Sequence, residues 1–199
     1  MSDQYFSENP NVSSDPKEWR FTLRGNSFLF RTDNGVFSKA EVDFGSRTMI
    51  ESFIEPEVNG DILDLGCGYG PVGIALAKSF PERRVLATDV NRRALELSKH
   101  NAAANKVDNY HVAFSDSFSE ISERRFAAIL LNPPIRAGKE TIYRMFDESY
   151  EALVEKGEMW IVMQKKQGAP SAKKKLATLF NEVELIQKNK GYYIYRGRK

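Results

Sequence analysis

A short apolar run, Asp61-Ile62-Leu63, passes into Asp64-Leu65-Gly66-Cys67-Gly68-Tyr69-Gly70 and then into Pro71-Val72-Gly73-Ile74-Ala75-Leu76-Ala77-Lys78. The order reads as strand, glycine turn, helix. Pro71 stands where the helix begins, and its missing N–H costs nothing in a first turn. The glycines permit positive φ and let a ligand approach the main chain, while the helix start offers free N–H groups. Asp64 stands ahead of Gly66 at the strand's end. A carboxylate there would repel a pyrophosphate and would suit a ligand that carries an ammonium group.

From Asp61 onward strands and helices alternate. Strand 62–65 leads to helix 71–79, and strand 84–88 ends at Asp89 before helix 92–104, which Asn91 caps. Strand 109–113 ends near Ser115-Asp116-Ser117, and strand 126–131 ends at Asn132-Pro133-Pro134-Ile135. Helix 139–154, strand 158–163 after a Gly157 turn, a basic loop from Lys165 to Pro170 and helix 171–179 follow. Residues 182–187 and 191–196 alternate about Asn189-Lys190-Gly191 as a closing hairpin. Upstream, residues 1–18 read as a loosely held polar arm, 20–32 as a hairpin turning at Gly25-Asn26-Ser27, and 45–54 as a helix. Repeated strand–helix units imply an α/β doubly wound fold, a mainly parallel sheet with helices on both faces. A seven-stranded sheet is expected, with an antiparallel C-terminal hairpin and a small N-terminal hairpin extension. The division is an arm and hairpin over 1–44 and a main domain over 45–199.

In such sheets ligands bind beyond the carboxyl ends of the strands, near the switch point. Asp64, Asp89, Asp116 and Asn132 all fall there. Asp89 can accept both hydroxyls of a ribose or can serve the following helix as a cap; the glycine turn before it favours the ribose. Val90 would then lie against a base. Asp116 either accepts from an exocyclic amino group of that base or belongs to an ordinary turn. Pro133 holds Asn132 extended, and two successive prolines stiffen the loop and remove two donors. Asn132 Oδ1 and the Pro133 carbonyl then offer two acceptors to a planar –NH₂ group, a device that works by positioning and electrostatics without a strong base.

Gly68-Tyr69-Gly70-Pro71-Val72-Gly73 also fits the dinucleotide pattern G-x-G-x-x-G. The D-x-G-x-G arrangement, however, resembles the first motif of class I methyltransferases dependent on S-adenosylmethionine (SAM). The series D-L-G-C-G-Y-G, T-D-V-N, S-D, N-P-P-I is similar to that of enzymes acting on exocyclic or amide nitrogen. Asn132-Pro133-Pro134-Ile135-Arg136-Ala137-Gly138-Lys139 resembles bacterial 16S rRNA guanine-N2 methyltransferases, as do Phe37-Ser38 and Asp43-Phe44-Gly45-Ser46, and the resemblance covers about 37–199. It implies a Rossmann-like methyltransferase fold and N2-methylation of a guanosine in small-subunit rRNA, with release of S-adenosylhomocysteine (SAH). It implies catalysis by Asn132, Pro133, Pro134 and Ile135. Cofactor contacts follow from Phe37, Ser38, Gly45, Asp64, Gly66, Cys67, Gly68, Tyr69, Gly70, Asp89, Val90, Asn91, Asp116, Ser117 and Asn132. Arg136, Lys139 and Lys165 would meet RNA. Many amine methyltransferases carry an aromatic residue where this chain has Ile135, and some relatives carry an additional N-terminal domain.

The 199 residues suit one domain, and 41% hydrophobic with 28% charged residues excludes a disordered chain. A net charge of +2 does not by itself name a partner. Placement says more: Lys165, Lys166, Lys173, Lys174, Lys175, Lys188, Lys190, Arg196, Arg198 and Lys199 interleave with Tyr192, Tyr193 and Tyr195. Arg20, Arg24 and Arg31 accompany Phe21, Phe28 and Phe30. Both groups suit RNA phosphates and unpaired bases. One cysteine, Cys67, excludes an internal disulfide and a cysteine metal cluster, and His100 and His111 form no metal-spaced group, so no metal is expected. No apolar run approaches about 20 residues and the start lacks a signal peptide's regions, so a cytoplasmic protein away from membranes is expected, as a monomer. Methylation of a protein glutamine amide, or of another RNA or DNA amine, is the nearest rival. An NAD-dependent oxidoreductase and a non-catalytic RNA-binding domain are the others.

Overall fold

A computed structural model describes residues 8–38 and 41–199. The helices and strands are β1 (Lys17–Leu23), β2 (Asn26–Thr32), α1 (Phe44–Ser52), β3 (Asp61–Leu65), α2 (Pro71–Ser79), β4 (Val85–Asp89), α3 (Arg92–Ala104) and β5 (Tyr110–Phe114). They continue with β6 (Phe126–Leu131), α4 (Lys139–Ala152), β7 (Leu153–Gln164), α5 (Ala169–Leu176), β8 (Glu182–Asn189) and β9 (Tyr192–Arg198). The main sheet has seven strands in the order β5-β4-β3-β6-β7-β9-β8, and β1 and β2 form a separate two-stranded sheet. Neighbours from β5 to β7 run parallel, while β9 is antiparallel to both β7 and β8. The expected architecture is therefore present.

Strand side chains alternate between faces, so the sheet needs cover on both. Ile62, Ala128, Leu130, Trp160 and Val162 face a cluster built with α1, α2, α3 and the N-terminal hairpin. Leu63, Leu65, Ile129, Leu131, Ile161 and Met163 face α4 and α5. Trp160 is fully buried, as expected of a core strand. The chain runs outward through β3, β4 and β5, then crosses to β6. The switch point thus lies between β3 and β6, where Leu65 pairs with Leu131.

Several boundaries differ from the sequence expectation, and three of them show how the backbone is placed. The first hairpin turns at Arg24-Gly25, both with positive φ (48° and 75°), so Asn26 and Ser27 already lie in β2. This is the two-residue geometry that matches strand twist. Second, α4 ends at Ala152 and β7 begins at Leu153, with Lys156 at φ 62° and Gly157 inside the strand. A Cβ on Gly157 would come within 2.8 Å of the Val154 carbonyl, so close backbone approach explains the glycine. Third, Lys165–Gln167 forms a turn of 3₁₀ helix and α5 starts at Ala169, ahead of the boundary that the basic residues suggest.

The N-terminal segment is held more firmly than its polar composition implies. From residue 8 onward it is pinned by hydrogen bonds: Arg92 N–H donates to the Glu8 carbonyl, and the Arg93 guanidinium reaches the Val12 carbonyl. Ser14 Oγ and Asp15 N–H donate to the Asp33 carboxylate. Residues 1–7 of the expected arm lie outside the described residues.

The hairpin docks through two asparagines one helical turn apart on α3. Asn105 accepts from Leu29 N–H and donates to the Leu29 carbonyl; Asn101 does the same at Arg31, at 2.7 and 2.9 Å. Two carboxamides thereby take the place of a neighbouring strand and close the free edge of β2. Asn101 also donates to the Tyr69 carbonyl, bracing the glycine turn. Asn101→Ala leaves the Arg31 and Tyr69 groups unmet. The expected cost is about 1–3 kcal/mol, a fall of roughly 3–10 °C in Tm by circular dichroism. Asn101→Asp should cost at least as much, because it sets a buried carboxylate against the Arg31 and Tyr69 carbonyl oxygens.

Candidate active site

A cleft of about 1040 Å³ opens at the carboxyl ends of β3, β4 and β6. Its floor is the glycine turn. Gly66, Gly68 and Gly70 have φ of 73°, 57° and 95°, a region that side chains resist and glycine enters freely. Gly66 N–H and Cys67 N–H donate to the Thr88 carbonyl at 2.8 and 2.9 Å, tying the turn to β4. Gly70 precedes α2 without a side-chain cap.

Asp64 fills that role from the neighbouring strand. Its Oδ2 accepts Gly73 N–H at 2.8 Å, so a buried carboxylate meets an orphan donor in the first turn of α2. Burial nevertheless pushes its carboxyl up to about 7; the Gly73 bond opposes the shift and the nearby Asp89 charge adds to it. Asp89 is raised as well, by burial, although Gly68 N–H and Asn91 N–H donate to its two oxygens at 2.8 Å each. Two donors leave further acceptor capacity on that carboxylate. Cys67 lines the cleft with its thiol pushed up by burial, which makes it an inert packing group.

Asn132 leaves β6 directly beside Gly66, because the preceding residues pair in register. Its Nδ2 donates to Ser46 Oγ at 2.9 Å and to Asp43 Oδ2 at 3.2 Å. A carboxylate only accepts, so Asp43 dictates which end of the carboxamide is nitrogen and leaves Oδ1 for a ligand in the cleft. Asp43 also caps α1 through Ser46 N–H at 2.9 Å. Neither Asp43 nor Ser46 is among the site residues expected from the sequence, although the segment Asp43-Phe44-Gly45-Ser46 carries part of the resemblance.

Phe37, Ser38, Asp64, Gly66, Cys67, Gly68, Tyr69, Asp89, Val90, Asp116, Ser117, Asn132, Pro133, Pro134, Ile135 and Arg136 all line this one cleft. Asn91, Gly45, Gly70, Lys139 and Lys165 stand apart from the lining. Asn91 is fully buried, caps α3 through Ala94 N–H and donates to the Gly35 carbonyl. Gly45 supports Tyr192: a Cβ there would sit 2.6 Å from that ring. Gly70 is packed under Ser98 and Tyr110. Lys139 lies over the Tyr143 ring, and Lys165 N–H bonds the Gly191 carbonyl. Asp116 pairs with Arg144 at 3.2 Å, and Ser117 Oγ donates to Glu148. Arg144, Thr141, Gln164 and Gln167 are lining residues that the sequence does not mark, and Tyr192, marked with the basic cluster, lines the cleft as well.

The basic groups divide. Arg24 donates to the carbonyls of Ile50 and Phe53, Arg31 pairs with Glu18, and Phe28 and Phe30 are core residues. Arg196 and Arg198 share the buried Glu158, Lys175 holds Asp147, and Lys199 caps the carbonyls of Tyr150 and Leu153. Tyr195 is buried too. Arg24, Arg196, Lys175, Lys199, Phe28, Phe30 and Tyr195 thus serve the fold rather than the expected RNA surface, while Arg31 and Arg198 keep exposed side chains. Lys165, Lys166, Lys173, Lys174, Lys188 and Lys190 remain exposed. Among the described residues no cluster of His, Cys, Asp or Glu could hold a metal, and no helix is long and apolar enough to cross a membrane.

The chain is 55% identical over the whole length of both proteins to the "Uncharacterized protein YbxB" of Bacillus subtilis (strain 168). It is 30% identical to "Ribosomal RNA small subunit methyltransferase C" of Vibrio cholerae, over 92% of this chain and 53% of that one. The chain thus spans about half the length of relatives with that name. Among solved structures, the "T. Thermophilus 16S rRNA N2 G1207 methyltransferase (RsmC) in complex with AdoMet and Guanosine" superposes with a TM-score of 0.83 at 22% identity, over 96% of this chain and 52% of that one. At that identity the likeness establishes the Rossmann-like methyltransferase fold. The sequence model of the methyltransferase small domain matches residues 27–196. With most of its length inside that match, the chain belongs to the methyltransferase small domain family.

Proposed function

We propose that the protein is a SAM-dependent N-methyltransferase acting on the exocyclic N2 amine of a guanosine in 16S rRNA. The observation that carries it is the fixed Asn132 carboxamide, whose nitrogen is consumed by Asp43 and Ser46 beside the glycine turn. The donor set fits the cofactor. Asp64 is a buried acceptor for an ammonium, Asp89 has capacity for ribose hydroxyls, and Val90 and Phe114 give apolar walls for a purine near Asp116. When bound, SAM supplies a methyl group as a sulfonium and leaves as SAH.

The chain's own residues do the positioning. Asn132 Oδ1 and the Pro133 carbonyl accept the two hydrogens of the target amine, and the Pro133–Pro134 pair stiffens the loop that presents them. Holding both hydrogens aims the nitrogen lone pair, and the buried surroundings strengthen these bonds. The likeness to the T. thermophilus methyltransferase, solved with AdoMet and guanosine, supports this substrate. The exposed lysines at 165, 166, 188 and 190 favour RNA over a protein glutamine amide.

Asn132→Ala should cut turnover on small ribosomal subunits by about 100-fold or more, with SAH affinity within about threefold by calorimetry. Labelled protein in place of RNA would refute the substrate. Asp43→Asn keeps the α1 cap but frees the amide to invert; kcat should fall roughly tenfold with the fold intact.

Asp64 sets a pH dependence. Its folded value near 7 lies above the unfolded 3.8, so its contribution to stability is full below 3.8 and is lost as pH rises through 7. A bound ammonium needs the ionised form. Lowering pH from 8 to 6 therefore weakens SAH binding by roughly tenfold. A calorimetric affinity flat over that range would remove Asp64 from this role.

A further inference from the structure

We infer that Tyr192, carried by the C-terminal hairpin, is the aromatic wall on which the target base stacks. The inference rests on the RNA-amine reading above and adds the residue that holds the base flat before Asn132.

Four aromatic side chains line the cleft among the described residues: Phe37, Tyr69, Phe114 and Tyr192. Tyr69 and Phe114 are committed to other packing, and Phe37, 44% exposed, is carried by the N-terminal segment beside the start of α3. Tyr69 is buried in a cluster with Trp19 and Phe30. Phe114 ends β5 beside Asp89, with the Arg92 guanidinium 4.6 Å from its ring. Phe37 follows the Asp33–Val36 turn, which Asn91 and Arg93 bind to the start of α3. The turn that carries Ile135 offers the cleft only aliphatic and polar side chains, and Ile135 packs on the α4 side of the core.

Tyr192 differs in each respect. It opens β9 opposite Gln164, the last residue of β7, so the sheet register delivers it to the cleft edge. One side of its ring lies on Gly45 in the first turn of α1, where any Cβ would collide at 2.6 Å. Gln164 Nε2 donates to its hydroxyl at 2.6 Å, which anchors the far end of the ring, while the contact with Gly45 limits its rotation. Burial and then the Asp43 charge raise its phenol. Tyr192, Asp43 and Asn132 line the same cleft, so the ring shares it with the carboxylate that orients Asn132. Phe44 adds a second ring at 5.6 Å, with the Lys190 ammonium 4.9 Å from its centre. Rings backed by a lysine suit an unpaired base and its flanking phosphates, because every base has a π-face and each phosphate a charge.

The test compares Tyr192→Ala with Tyr192→Phe, which keeps the ring and loses only the hydroxyl. The first readout is kcat/KM on small ribosomal subunits from a strain lacking the gene, with SAH affinity by calorimetry as the folding control. Tyr192→Ala should lose roughly tenfold or more, as expected for one missing base–aromatic stack, and Tyr192→Phe should recover to within about threefold of wild type. The second readout is fluorescence of a short single-stranded RNA containing one 2-aminopurine, a base that carries the 2-amino group and is quenched on stacking. With SAH present, wild type and Tyr192→Phe should quench it and Tyr192→Ala should not. Methylated subunits with unmoved kcat/KM in Tyr192→Ala, or equal quenching by all three proteins, overturn the stacking role alone. Absence of any RNA methylation by the wild type overturns the RNA reading and the stacking role together.

Discussion

The hydrogen bond from Gly73 N–H to the buried Asp64 carboxylate joins the end of β3 to the first turn of α2. Much of the active-site geometry depends on that junction. A buried carboxylate with one backbone donor is costly, and its rise to about 7 records the cost. Gly73 must lack a side chain, since a Cβ would meet Tyr110 at 2.6 Å and Asp64 at 3.0 Å. Once the junction is held, the turn between strand and helix must pass through left-handed conformations that its glycines supply. Its backbone then borders a cleft with a second raised carboxylate, Asp89, on the adjoining strand. Two raised carboxylates on adjoining strands of one cleft are the feature on which the proposed cofactor role of Asp64 and Asp89 rests.

Segments from both ends of the chain complete the cleft. Asn101 and Asn105 bind the N-terminal hairpin to α3, and Asn101 reaches on to the glycine turn. Asp43 anchors α1 and the Asn132 amide with the same carboxylate, so any shift of α1 is felt at the loop after β6. The C-terminal hairpin inserts β9 between β7 and β8 and brings Tyr192 to the rim. The small family domain thus uses elements on either side of its parallel core to shape one site.

Much of the parallel core was legible because its signals are local. Pro71 after a glycine, Asn91 before α3 and the apolar run at 126–131 each act within a few residues, and those boundaries agree with the structure. The Asn132-Pro133-Pro134 loop was readable for the same reason, since a proline restricts its own neighbour. The roles of the arginines were not. Arg24 and Arg196 look alike in a sequence, yet one closes the end of α1 and the other joins a buried glutamate. A charge cluster becomes a surface only after its partners are subtracted, and those partners lie far along the chain.

The amino-acid sequence by itself determined the alternating elements, the sharp turn at 66–70 and the presence of acids and an amide at strand ends, because backbone dihedrals and hydrophobic period are set residue by residue. Tertiary structure alone decided which way the Asn132 amide faces, which lysines stay in solvent and which aromatic ring reaches the cleft. Those outcomes rest on contacts such as Asp43 with Asn132 and Gly45 with Tyr192. Such contacts form only when the sheet register has brought distant segments together, and no local preference encodes them.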